Sequence, residues 1–226
     1  MKVLSVLRAE SVRAVRTIGG TFGYLPDALS ALTARYGFVG LPTPNELLPA
    51  EPATGITFKH GKLESDDGRS ILIDFLQVFP NGLTVITRSN TSDSDIALDD
   101  IMAWAKSEFK IEFEPLKPGL GHSSQLEVRL DKSLSELLPF LSEVGAAITK
   151  GLDDFWEFRP SYECITVNFW SDKTKYPAFA PPIFRIDRRD NVPFEQNVYY
   201  CEAPMSTDNH IAALSRFERI CLETFK

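Results

Sequence analysis

The chain has 226 residues, 43% of them apolar, with 31 acidic against 24 basic side chains and a formal charge of −7. That length and apolar share supply a continuous core and argue against global disorder, and no apolar run approaches the ~18 residues of a membrane-spanning helix. The acidic balance disfavours non-specific nucleic-acid binding, although it leaves room for a local basic face.

Residues 1–16 interleave Arg8, Arg13 and Arg16 with Val and Leu. The spacing of Val3, Leu4, Leu7, Val12 and Val15 is read as an amphipathic helix ended by Gly19-Gly20. Glu10 argues against a transit peptide, and the short apolar run 3–7, broken by Ser5, argues against a secretory leader. Pro26 opens a second helix over 27–36, and Gly37 suits its end. Prolines at 42, 44, 49 and 52 then exclude a regular ladder.

Residues 55–89 read as a β-meander. The first strand covers 55–59, with His60-Gly61 as a tight turn and Asp66-Asp67-Gly68 as a second. The run 70–79 is apolar on both faces, which predicts a strand covered on both sides. Asn81-Gly82 is the sharpest hairpin signal, because primed turns need positive φ angles. Residues 83–89 return, and Ser92-Asp93-Ser94-Asp95 caps a helix over 96–109.

Residues 110–123 are rich in Pro and Gly and read as a linker. The expectation is one α+β domain, 1–226, with a possible sub-division into 1–112 and 123–226 around a linker at 113–122. Beyond it, Leu126, Val128 and Leu130 alternate with polar residues as in a half-buried strand. Ser133 caps a helix to about 149. Strands follow at 162–170, 183–189 and 197–203, and a last helix occupies 209–225. Strand runs followed by helices predict a mainly antiparallel sheet, a meander plus a later hairpin, with helices packed on it. The segments Ser92-Asp93-Ser94-Asp95-Ile96-Ala97-Leu98 and Ser206-Thr207-Asp208-Asn209-His210-Ile211-Ala212 can be written side by side. Duplication into two related halves is one reading, and recurrent capping chemistry is the plainer one.

Neither standard phosphate-cradling motif is present, nor a zincin or nucleophile-elbow motif, so no cofactor is assigned. Cys164, Cys201 and Cys221 are widely spaced and odd in number, which suits buried free thiols in a reducing, cytoplasmic setting. His60, His122 and His210 stand apart from one another. Asp153, Asp154 and Glu157, beside Phe155, Trp156 and Phe158, are the acidic cluster with the best claim to a divalent metal, though a solvated connection explains them as well. Arg185, Asp187 and Arg189 share one strand face by alternation. With Arg188, Lys173 and Lys175 they form a candidate anion or nucleic-acid surface, against the plainer reading of an ordinary solvated face. Tyr176 and Phe179 sit among prolines in a rigid apolar loop suited to docking on a protein.

Three functional classes follow. The leading expectation is a non-catalytic interaction or assembly protein that binds a protein partner, itself included, and no membrane. The alternatives are a nucleic-acid or anion binder built on the basic strand and loop, and a divergent metal-dependent hydrolase or nuclease built on Asp153, Asp154 and Glu157.

Overall fold

The computed structural model describes residues 1–18, 25–43, 55–65, 68–152, 161–172, 174–175 and 182–225. Their elements run β1 (Lys2–Ile18), α1 (Leu25–Tyr36), β2 (Ile56–Glu64), β3 (Ser70–Phe79), β4 (Gly82–Thr87) and α2 (Thr91–Phe109). Then come β5 (Glu112–Arg129), α3 (Leu134–Leu137), α4 (Pro139–Leu152), β6 (Thr166–Phe169), β7 (Phe184–Arg188), β8 (Val198–Ala203) and α5 (Thr207–Thr224). The strands follow the hydrogen-bonded order β2-β3-β4-β1-β5-β8-β7-β6. The fold is α+β on an antiparallel sheet, as the sequence predicts.

The same plan occurs twice. A strand, a helical segment, three strands and a helix recur, and the pairing orders β2-β3-β4-β1 and β6-β7-β8-β5 correspond. The helix starts are offset from the alignment written above, and the N-cap of α2 is Asn90, whose side chain accepts the Asp93 N–H at 2.7 Å. Thr91 and Thr207, rather than Ser92 and Ser206, are the first residues of α2 and α5.

Two compact units can be distinguished. The N-terminal unit comprises Leu7–Ser124 with Met205–Thr207. Tyr36, Phe38, Phe58, Ile73, Leu76, Val85, Leu98 and Ile101 belong to its core. The C-terminal unit comprises Met1–Val6, Gln125–Pro204 and Asp208–Lys226. Its core gathers Leu126, Val128, Leu130, Leu134, Ile186, Tyr199, Cys201 and Leu214. There the Met1 α-amino group lies 2.6 Å from Glu218, whose other oxygen accepts the Asp131 N–H at 2.7 Å.

Several expectations are corrected. Residues 2–18 are a strand, not a helix. Ala9, Ser11 and Val15 are buried at period two, and β-branched Val, Thr and Ile favour the extended chain. Residues 113–122 run inside β5 rather than forming a linker. Prolines are tolerated in a strand wherever their position need not donate to a neighbour.

His60-Gly61 is not a turn either. His60 takes φ 57° inside β2, while the register Lys59↔Phe75 and Gly61↔Ile73 is kept. The left-handed residue rotates the strand, so its inward face passes from Leu63 and Gly61 to Phe58. On β3 it passes from Ile71 and Ile73 to Leu76. This explains why β3 looks apolar on both faces in sequence although Leu72 is 67% exposed.

The β3–β4 hairpin is where the sequence puts it, with Phe79 paired to Gly82 across Pro80-Asn81. Neither Asn81 nor Gly82 has a positive φ. Gly82 is needed for another reason: a Cβ there would stand 2.6 Å from the Arg13 carbonyl oxygen of β1.

Candidate interaction surface

Pro139 splits the predicted helix over 133–149. It restricts the residue before it, and Leu138 leaves the helical region with φ −126° and ψ 65°. Ser133 and Glu136 close a capping box on α3. Helix α4 then starts afresh and is among the most apolar segments of the chain, yet of its fourteen residues only Gly145 is buried. Phe140, Val144 and Ile148, spaced four apart, form one stripe and are 54%, 54% and 43% exposed. Gly145 rests on the Tyr162 backbone, and a Cβ there would run into its carbonyl oxygen. That close approach turns the neighbouring stripe outward. Phe140 also meets Phe225, with ring centroids 5.8 Å apart.

Strand β6 adds a second apolar feature to the same unit. It lies at the end of the strand order and pairs with β7 through Thr166↔Asp187 and Phe169↔Phe184. Ile165, Phe169 and Trp170 are 51%, 53% and 65% exposed. An end strand with exposed aromatics is a template for association unless something covers it.

The candidate basic surface is already occupied by its own acids. Arg185 lies 3.1 Å from Asp187 and 3.3 Å from Glu202, with its guanidinium over the Tyr200 ring. Arg189 lies 3.2 Å from Glu127. Arg188 donates to the Pro193 carbonyl at 2.7 Å and stacks 4.5 Å from the Phe194 ring centre. Lys175 is 3.8 Å from Asp172. Neutralised cations of this kind make a cross-linked sheet face and a poor anion grip. Lys173, Tyr176 and Phe179 lie outside the described residues, as do Asp153, Asp154 and Glu157. Among the described residues no group of three or more His, Cys, Asp and Glu side chains is placed to hold a metal. No helix among them is long and apolar enough to cross a membrane.

Two polar arrangements in the N-terminal unit are not legible in the sequence. His122 Nε2 lies 2.9 Å from Asp95, and Arg13 bridges Asp95 at 2.9 Å and Asp99 at 3.0 Å. Partial burial alone would raise the Asp95 pKa, but the His122 and Arg13 hydrogen bonds outweigh it and hold the carboxyl below its usual range. The pairing ties His122 of β5 and Arg13 of β1 to Asp95 of α2. The second arrangement is a buried hydroxyl network. Ser94 donates to the Ala9 carbonyl at 2.9 Å, Ser11 to the Thr91 carbonyl at 3.2 Å and Ser124 to the Met205 carbonyl at 3.1 Å. Ser11, Ser94 and Ser124 are themselves fully buried, so the network ties the start of α2 to β1, and β5 to the chain after β8.

No family model matches the chain, and neither does any curated protein. The strongest candidate for function is therefore the exposed face of α4, supported by the β6 end of the strand order. Cys201 and Cys221 are buried free thiols, while Cys164 is only partly covered. Burial pushes the Cys201 thiol up to about 12, which keeps it protonated and inert.

Proposed function

We propose that this chain is a non-catalytic cytoplasmic assembly protein whose apolar α4 face binds a protein, in the first instance a second copy of itself. The observation that carries the reading is the exposed stripe Phe140, Val144 and Ile148, on a helix that packs through the adjacent Gly145 against the Tyr162 carbonyl. Three large side chains on one exposed helical stripe are the arrangement used by helices that dock face to face or in a groove. Exposed aromatic Phe169 and Trp170 at β6 supply the anchor type enriched in interfaces. The internal pairing of Arg185 and Arg189 lowers the standing of an anion-binding role.

Light scattering coupled to gel filtration, backed by native mass spectrometry, tests this reading. The expected result is a dimer or higher species at micromolar concentration, converted to monomer by Val144→Lys with Ile148→Lys while the circular dichroism spectrum is retained. A wild-type monomer at every concentration overturns self-association.

A further inference from the structure

We propose that the N-terminal unit contains a binding site for a small, uncharged, single-ring aromatic molecule. A cavity of about 160 Å³ lies within this unit between α1, α2 and the β-strands. Its described lining carries no charged side chain, and Thr17 brings the one side-chain hydroxyl among those residues. An engineered cavity of about 150 Å³ with similar Leu, Ile and Phe walls stays dry and admits benzene, so this space suits one ring. The space is partly open, and water inside it finds few of the two to four polar partners it needs.

The aromatic walls give the site its chemical preference. Trp104 and Phe109 of α2 meet edge to face, with centroids 5.3 Å apart at 89°. Phe79 and Phe113 line the cavity from the strands. A flat ring entering among such edges gains further tilted contacts beyond simple area burial. Two alanines, Ala28 on α1 and Ala105 on α2, are the smallest side chains on the helical walls and leave the volume open. A carboxylate on the ligand would find no cation and would lose its hydration, so anionic relatives are excluded. The site is separate from the α4 face and does not depend on its role.

The test uses the full-length chain, toluene as probe and benzoate as its charged counterpart. The chain has three Trp residues, and Trp156→Phe with Trp170→Phe leaves Trp104 as the sole indole reporter. Toluene should change Trp104 emission saturably and raise the thermal midpoint, whereas benzoate at equal concentration should do neither. Ala105→Phe fills the cavity and should weaken toluene binding by about tenfold or more without lowering the midpoint. Ala28→Met fills the same space from the other helix and serves if the first variant does not fold. No saturable response in the parent chain, an equal response to benzoate, or binding indifferent to the filling substitutions would overturn the assignment.

Discussion

Thr91 and Thr207, 116 residues apart, cap each other: the Thr91 N–H donates to the Thr207 hydroxyl at 3.1 Å, and the Thr207 N–H donates to the Thr91 hydroxyl at 3.0 Å. Both residues are buried. The first turn of a helix leaves backbone donors without intrahelical partners, and here each of two helices lends its first side chain to the other. Thr207→Val keeps the shape and strands the Thr91 N–H, so it should cost about 1–3 kcal/mol in urea unfolding. Thr91→Val should cost a similar amount, and the double variant should cost less than the sum because the two bonds form one motif. Additive losses would count against the reciprocal arrangement.

His210 gives the chain a defined acid weakness. The side chain is fully buried on α5 against Phe184, and burial holds its pKa down, at about 4 against the usual 6.5. The folded state keeps the imidazole neutral, while the unfolded chain binds a proton below pH 6.5. Stability is therefore complete above about pH 6.5 and falls as the pH drops toward 4, by about 3 kcal/mol in all. Urea unfolding across that range checks the slope, and His210→Gln should remove this part of it.

Gly145 separates two opposed effects of one methyl group. Alanine at an open helical position stabilises by about 1 kcal/mol over glycine. At this position the added Cβ meets the Tyr162 carbonyl oxygen. Gly145→Ala should therefore destabilise, by about 1–3 kcal/mol, with α4 lifted from the Tyr162 backbone. A rise in stability would show that the close approach is absent in solution.

Gly82 and Asn81 make a similar contrast at the β3–β4 hairpin. Gly82→Ala should cost about 1–3 kcal/mol through its collision with the Arg13 carbonyl. Asn81→Ala should be nearly neutral, since Asn81 does not take a positive φ. Chemical denaturation of the two variants side by side distinguishes turn chemistry from inter-strand approach.

Much of the fold was legible because its signals are local. Pro26 stands in the first turn of α1 and Gly37 just past its end, the alternation of Leu126, Val128 and Leu130 places the inward face at the end of β5, and Ser133 announces α3. What escaped depends on distant partners. The residues of β1 carry apolar spacing compatible with either period, and only pairing of Ala9–Ala14 with β4 decides between them. The prolines of β5 look like a linker until the strand's neighbours are known. The sequence announces a helix to about 149 without marking Phe140, Val144 and Ile148 as an outward stripe, because nothing local says which side of an apolar helix faces out. That is decided by Gly145 against Tyr162. The basic strand was read correctly as alternating, whereas the carboxylates that occupy it, Glu127 and Glu202, come from other strands.

The discontinuity of the two units bears on how the chain is made. The N-terminal unit lacks its last piece, Met205–Thr207, until residue 207 has been synthesised, and the C-terminal unit borrows the first six residues. The N-terminal unit therefore cannot finish folding until a segment made more than eighty residues after its main part has emerged. Asn90 caps the Asp93 N–H of α2 locally, but the Thr91 N–H must wait for a threonine synthesised 116 residues later. Long-range closure of this kind slows folding and prolongs exposure of unpaired strand edges. A nascent chain halted after residue 124 should be a client for chaperones, because its unit still lacks Met205–Thr207.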